Sequence, residues 1–527
     1  MIPFKDGYPY PSRRDALYGS RGMVATSHPL ATEAGMAVFR KGGNAIDASV
    51  AAAAALSVVD PASTGPGGDL FAILSIGDKI YGLNASGHSP QLYTREAMQK
   101  RGFESIPGEG WEPVTVSGGV AGWAALCKRF GKLPMAETFA PAIELARNHA
   151  VFNGGVNKFA EKLMETKNPL FDPFLDMFYP QRKPLPAYQV LPLSDLADTL
   201  KDIAETEGET FYRGCLAEKM AGYSESTGGF LRYDDFASYQ CKWVEPVKVN
   251  YRGYDILELP PNCQGITASI AINIMEGFEP MIHGDPYTVH RQIESIKLAF
   301  ADAFEYIADP RYLKIKAEDL ISKEYAAKRR ALIGDYATLP KPGEPLSGGT
   351  VYLAAADGQG NMISLIQSIA NAWGSGVVVP GTGILMQNRG QNFKMDENHP
   401  NSIGPRKQSY NTIIPGFISK DGRPVGPMGV MGGYMQPQGH LQVTMNMIDY
   451  GMNPQAALDA PRFFWQRGNL VHMEHNWPQS TLDSLTARGH ELVSKPPGFG
   501  RGQIIVRLEN GILCGGTEPR GGAVSAF

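Results

Sequence analysis

The sequence predicts an α+β fold in which antiparallel sheets carry helices on their outer faces. Three observations predict it. From Thr350 onward apolar residues recur with a period of two, in VYLAAAD, MISLIQS, GVVVP and TIIPGFIS, joined by DGQGN, GSG and KDGR turns. Upstream lie alanine-rich and amphipathic stretches of helical character. Strands and helices do not alternate with the βαβαβ regularity of a doubly wound parallel sheet.

The elements follow in order. The first 22 residues are polar, aromatic and proline-bearing, and read as an arm over the surface. Met23 to Thr26 is a short strand, followed by a helix, a turn at Gly42 and Gly43, and a helix so dense in alanine (Ala51 to Ala55) that neighbours must pack closely on several sides. A tight loop, Gly65 to Gly68, opens the strand Leu70 to Ile76, and KIYGLNASG forms a second strand hairpinned to it through Gly77 and Asp78. Residues 110–240 read as mainly helical, and 286–312 as one long amphipathic helix ended by Asp309-Pro310. LPKPGEPLSGG (339–349), with three prolines and three glycines, is the one convincing linker. A helix follows Gly432-Gly433 through HLQVTMNMIDY, PQAALDAPRF is a helix with a breaker, and GQIIVRL with GILCGGT is a terminal hairpin. The gross impression is of two α/β halves without internal repeats.

Composition excludes several functions. The 527 residues are 43% hydrophobic and 19% charged, which is globular, and large α/β enzymes reach this length around one sheet system. A net charge of −4 gives no electrostatic case for nucleic acid. Five scattered cysteines without a CxxC pair fit neither a disulfide framework nor a zinc-cysteine site. No apolar run has membrane-helix length, and the opening MIPFKDGYPYPSRRD has no signal-peptide core, so the expectation is a cytoplasmic protein without membrane partners.

The chemistry narrows to one threonine. GxSxG is absent, GPGGD (65–69) lacks the Lys-Ser/Thr of a phosphate loop and reads as a turn or a wall of a site, and HMEH (472–475) shows no third metal ligand. The acids Glu294, Asp302, Glu305 and Asp309 read as a solvated face or ion pairs. No metal or cofactor is expected. Thr350 stands where a glycine-rich linker meets a strand. A threonine hydroxyl is a weak nucleophile, but a cut before it would release an α-amine titrating near about 7.7–8.0, close to the working range of a general base. Gly348 and Gly349 supply the backbone freedom that a self-cleaving peptide needs. The residues alone leave two readings open, a cut site or a loop entering a strand.

A longer pattern favours the first. KGGNAIDASVAAAAALSVVDPASTGPGGDLFAI (41–73), KLAFADAFEYIADPRY (297–312), GTVYLAAADGQGN, GVVVPGTGILMQN (376–388) and MGGYMQPQGHLQVTMNMIDYGMNPQAALDAPRF (431–463) together resemble the γ-glutamyltransferase family of N-terminal-nucleophile hydrolases, in order and over nearly the whole chain. The resemblance implies a four-layer αββα sandwich, made as a proenzyme that cuts itself between Gly349 and Thr350. Its large piece would be 1–349 and its small piece 350–527, held together as one αββα domain, with homo-oligomers of the heterodimer possible. It assigns the nucleophile to Thr350, a helper hydroxyl to Ser368 and the oxyanion glycines to Gly432 and Gly433.

The departures bear on substrate. The family's carboxylate-binding arginine falls near Ser86 in NASGHSP, its amine-binding aspartate on Asn392 in GQNF, and its paired serines on Ser409 and Tyr410. Two lost charges remove the strong, charge-assisted hydrogen bonds that hold a γ-glutamyl group. Arg389 in QNRGQNF is a gained charge, read either as a structural ion pair or as a relocated carboxylate clamp. Tyr410 and Trp373 would shrink the pocket. Within the family the chain looks most like the oxamate amidohydrolase branch of allantoin and purine nitrogen breakdown, acting on a small carboxylate-bearing amide. A glutaryl- or cephalosporin-type acylase, a γ-glutamyl hydrolase or transferase, and a non-catalytic binding protein are the alternatives.

Overall fold

Strand pairing brings residues from both sides of Thr350 into each sheet. The computed structural model describes residues 14–149, 151–152, 156–186, 189–279, 281–339, 350–494 and 498–527. Gly349, the linker from residue 340 onward and the first 13 residues of the arm lie outside the described residues. One seven-stranded sheet runs in the order Ala523–Ala526, Gly22–Thr26, Val351–Asp357, Met362–Ser368, Asp69–Ile76, Lys79–Ala85 and Lys242–Val244. The other runs Leu17–Gly19, Leu513–Thr517, Arg501–Arg507, Arg423–Met431, Gly416–Lys420, Tyr254–Glu258 and Val247–Tyr251. Every pairing within both sheets is antiparallel.

The two sheets face each other and helices cover their outer sides. Pro29–Arg40 and Ala45–Val59 lie on the first sheet, and Gly265–Glu276 and Met435–Ile448 on the second, with Pro286–Tyr306 packed on Gly265–Glu276. The strand Val351–Asp357 shows the alternation that makes this possible. Val351, Leu353 and Ala355 join the cluster under the alanine-rich helix, while Tyr352, Ala354 and Ala356 join the cluster between the sheets. The architecture is the four-layer αββα sandwich.

The alanine-rich helix explains its own composition. All residues of Ala45–Val59 are buried, between the sheet and the helices Pro29–Arg40 and Met135–Glu144. Small side chains allow that close approach on every face, and extra methylenes there would overpack the layer at a cost of about 1–3 kcal/mol. The helix starts where it does because Asn44 Oδ1 accepts from the N–H of Ile46 and Asp47, and Asp47 returns the bond to the Asn44 N–H at 2.9 Å.

Three sequence expectations are corrected. The impression of two halves fails, because strands from before and after Thr350 interleave in both sheets. The helix expected over 286–312 is Pro286–Tyr306, followed by an extended Ile307 and a 3-10 turn, Pro310–Tyr312. Pro310 holds only Asp309, the residue before it, out of the helical region, and the chain has already turned extended at Ile307. GVVVP contributes only Val378–Val379 to a two-stranded ladder, and of TIIPGFIS only the residues from Gly416 on enter a strand, Gly416–Lys420. The acids named above divide between both readings. Glu294 pairs with Lys297 at 2.7 Å, Asp302 with Arg329 at 2.8 Å and Asp309 with Arg311 at 2.6 Å, while Glu305 is exposed.

Candidate active site

The register of two ladders aligns three polar residues at one end of the first sheet. Val351 pairs with Gln367, so Thr350 lies across from Ser368, and Ser368 pairs with Asp69 on the next strand. Cross-strand partners share a face. Tyr352, Ile366 and Phe71, two residues further along the same strands, belong to the cluster between the sheets. Thr350, Ser368 and Asp69 therefore form a row at the mouth of the inter-sheet layer, all buried. Thr350 Oγ1 lies 3.4 Å from Ser368 Oγ, and Ser368 Oγ accepts from the Ala370 N–H at 2.8 Å. Gly68 must be glycine for this row to close, since a Cβ there would stand 2.5 Å from the Ser368 carbonyl oxygen. The GPGGD run is thus a wall of the site.

Gly432 and Gly433 follow the strand Arg423–Met431 and precede the helix Met435–Ile448. Their φ values of +126° and +58° belong to the left-handed side of backbone space, where side chains are strained. Among the described residues neither N–H has a backbone acceptor. The Gly433 carbonyl accepts from Gln264 Nε2 at 2.9 Å.

Arg389 occupies the 3-10 turn Arg389–Asn392 and is 2% exposed, far from the exposure usual for an arginine. Its Nη1 donates to Thr412 Oγ1 at 2.8 Å. Its Nε stands 3.7 Å from Asp69 Oδ2, an ion pair without a direct hydrogen bond. Among the described residues Nε and Nη2 have no hydrogen-bond partner. Burial pulls the guanidinium down to about 10, against the opposing pull of Asp69, so it stays charged at neutral pH. Burial likewise lifts the Asp69 carboxyl, with Arg389 and three hydrogen bonds holding it back. Asp69 Oδ1 accepts from the Gly87 N–H at 2.8 Å and Gln387 Nε2 at 2.9 Å, and Oδ2 from Asn411 Nδ2 at 3.0 Å. One carboxylate thus ties together the loops at 87, 387, 389 and 411.

That arrangement gives a prediction. Asp69→Asn puts an amide N–H₂ among donors and leaves a buried guanidinium without its counter-charge. The variant is expected to lose about 3 kcal/mol of stability, read as a lowered Tm. An unchanged Tm would mean that Asp69 does not carry the charge balance.

The remaining candidates gather around this centre. Ser409 Oγ donates to the Arg389 carbonyl at 3.3 Å, and Asn392 Nδ2 to the Tyr410 carbonyl at 2.9 Å. The Tyr410 hydroxyl donates to Gln264 Oε1 at 3.1 Å. Ser86 is buried in an amide network, accepting from Gln408 Nε2 at 2.8 Å and donating to Asn84 Oδ1 at 2.8 Å. Trp373 stands apart. Its ring packs at 5.6 Å and 5.1 Å from those of Phe174 and Phe178, in the helical layer. The HMEH histidines split between the strand Leu470–Met473 and the turn after it. Among the described residues the group with metal-ligand compactness is instead His290, Glu294 and His490, within 4.8 Å of one another, and the Lys297 ammonium already neutralises Glu294 there.

A family model for gamma-glutamyltranspeptidase matches residues 31–527. The chain belongs to the gamma-glutamyltranspeptidase family. It is 36% identical over 523 residues to the glutathione hydrolase-like YwrD proenzyme of Bacillus subtilis, covering 96% of this chain and 98% of that protein. It is 32% identical over 526 residues to the oxamate amidohydrolase proenzyme of Klebsiella pneumoniae, covering 96% and 98%. The crystal structure of a cephalosporin acylase from Bacillus halodurans superposes with a TM-score of 0.96 at 47% identity, covering 100% of this chain and 99% of that one. Ser86 and Asn392 are uncharged, and Arg389 is buried. Sequence reasoning missed Asp69 as the partner of Arg389, and missed Gln264 and Thr412 altogether. The signal for Asp69 was an acid opening the apolar strand Leu70 to Ile76.

Proposed function

We propose that the protein is a self-cleaving N-terminal-nucleophile amidohydrolase acting on small carboxylate-bearing amides, with oxamate, split to oxalate and ammonia in purine nitrogen breakdown, as the first substrate to test. The observation that carries the substrate class is Arg389: buried, charged, and with two N–H groups that no described residue accepts. Asp69 balances the charge at 3.7 Å without a direct hydrogen bond, and a bound carboxylate would supply acceptors for Nε and Nη2 in the fork geometry that guanidinium favours. The uncharged Ser86 and Asn392 leave no described counter-charge for a γ-glutamyl α-carboxylate and α-amine at those positions.

The chemistry runs in two rounds on one hydroxyl. Thr350 Oγ attacks the Gly349 carbonyl, the acyl group moves from nitrogen to oxygen, and water hydrolyses the ester. That leaves a large piece ending at Gly349 and a small piece of 178 residues beginning at Thr350. In the mature enzyme the freed α-amine takes the Thr350 hydroxyl proton as Oγ attacks the substrate amide. The N–H groups of Gly432 and Gly433 hold the oxyanion, the proton passes to the departing ammonia, and water releases the acid. Ser368, 3.4 Å from Thr350 Oγ1, orients the nucleophile.

A second reading, an acylase taking a longer acyl group, is favoured by the 47% identity to the cephalosporin acylase structure. One experiment separates the readings. Intact mass should show two chains split before Thr350, and the same sample should release ammonia from oxamate but no amine from glutaryl- or γ-glutamyl-p-nitroanilide. Release only from the glutaryl compound selects the acylase reading. Release only from the γ-glutamyl compound removes the role given to Arg389.

A further inference from the structure

Gln264 stands at the foot of the helix Gly265–Glu276 and is wholly buried. Its carboxamide is fully engaged. Nε2 donates to the carbonyls of Thr412 and Gly433, and Oε1 accepts the Tyr410 hydroxyl at 3.1 Å. Two carbonyls can be satisfied only by the –NH₂ end, so the partners fix which way the amide points. The backbone of the same residue is laced to the same loop, its N–H donating to the Asn411 carbonyl at 2.9 Å. Thr412 in turn accepts from Arg389 through its hydroxyl. A single side chain therefore joins the turn carrying Gly433 to the loop that holds Arg389.

From this geometry we infer that Gln264 is a positioning residue, which holds the Gly433 carbonyl and so aims the glycine N–H groups at the developing oxyanion. The inference rests on the reading of Gly432 and Gly433 as oxyanion donors. Its physical basis is the freedom of two consecutive glycines at positive φ. Such a turn has more accessible conformations than any other dipeptide, and oxyanion donors are effective only when they are held in place before the reaction. The Gln436 N–H, at 3.2 Å, holds the same carbonyl from the helix side, and Gln264 holds it from the loop side. Tyr410, which stands at a family substrate position in the sequence, supports the amide through its hydroxyl instead.

The test uses full-length protein and two substitutions, with ammonia release from oxamate as readout, or amine release from glutaryl-p-nitroanilide if that is the compound turned over. Gln264→Met keeps the volume and removes both donors. It should fold and split normally by intact mass, with kcat lowered about 10- to 100-fold and KM within about twofold, a fraction of the effect of losing an oxyanion donor outright. Gln264→Glu adds a signature that a purely structural role would not produce. Ionised, the introduced carboxylate repels both carbonyls; protonated, it donates one hydrogen bond. The ratio of its kcat to that of wild type should therefore rise as pH falls, while the same ratio for Gln264→Met stays flat. Variants with wild-type kcat, or with raised KM and unchanged kcat, overturn the inference while leaving the amidohydrolase reading intact. Wild-type protein that neither splits nor hydrolyses any of the amides overturns both.

Discussion

Thr350→Ala protein is expected to remain a single chain of 527 residues and to lose hydrolysis by at least about 10³-fold. Both outcomes follow from one atom. The hydroxyl that would attack the Gly349 carbonyl is the same hydroxyl that would attack substrate, and alanine has no substitute for it. The neighbouring Ser368 hydroxyl does not take over, because it is fixed by the Ala370 N–H at 2.8 Å and lies one strand away from the bond to be cut. Intact mass reads the first outcome and ammonia release the second. A processed Thr350→Ala protein would rule out the nucleophile assignment. The experiment also tests the fold argument, since this substitution falls at the end of a strand and removes only a hydroxyl and a methyl, so the uncut variant should keep the wild-type secondary structure.

Arg389→Ala is expected to raise KM for carboxylate-bearing amides about 10- to 100-fold, while neutral amides of the same length change by less than about twofold. A hydrogen bond to a charged group is worth about 1.5–3 kcal/mol, and that range sets the expected factor. Kinetics on matched charged and neutral substrates provide the check. An equal loss on both would make Arg389 the structural partner of Asp69 and nothing more. Arg389→Lys should recover only part of the effect, because an ammonium cannot meet a carboxylate and the Thr412 hydroxyl in one planar fork.

The parts of this site that could be read from the sequence are those set by local pattern. The period of two after Thr350 gave the strands, and the DGQGN turn gave their hairpin. Counting outward from Gln359 along that hairpin already sets Thr350 against Ser368. The long helix was visible from its spacing and its proline, although its end moved. What could not be read was long-range pairing. Asp69 meets Arg389 across 320 positions, and Gln264 meets Gly433 across 169. Asp69 shows only as an acid opening an apolar strand and Gln264 has no pattern of its own, so each acquires its partner only when sheets built from distant segments close. For the same reason Trp373, which lies near the site in the sequence pattern, packs away from it among Phe174 and Phe178.

The strand that begins after Thr350 lies between Gly22–Thr26 and Met362–Ser368, and the final strand, Ala523–Ala526, closes on Gly22–Thr26 from the other side. If the chain is cut before Thr350 as proposed, the two pairings made by Gly22–Thr26 come to join two separate pieces. The precursor folds as one chain, with every pairing a matter of loop closure. Once cut, the same pairings become encounters between two molecules, diluted by whatever volume holds them. Heating the mature enzyme should then be a one-way passage, its half-life set by the barrier to unthreading the shared sheet, whereas uncut Thr350→Ala protein retains the connectivity with which the chain first folded.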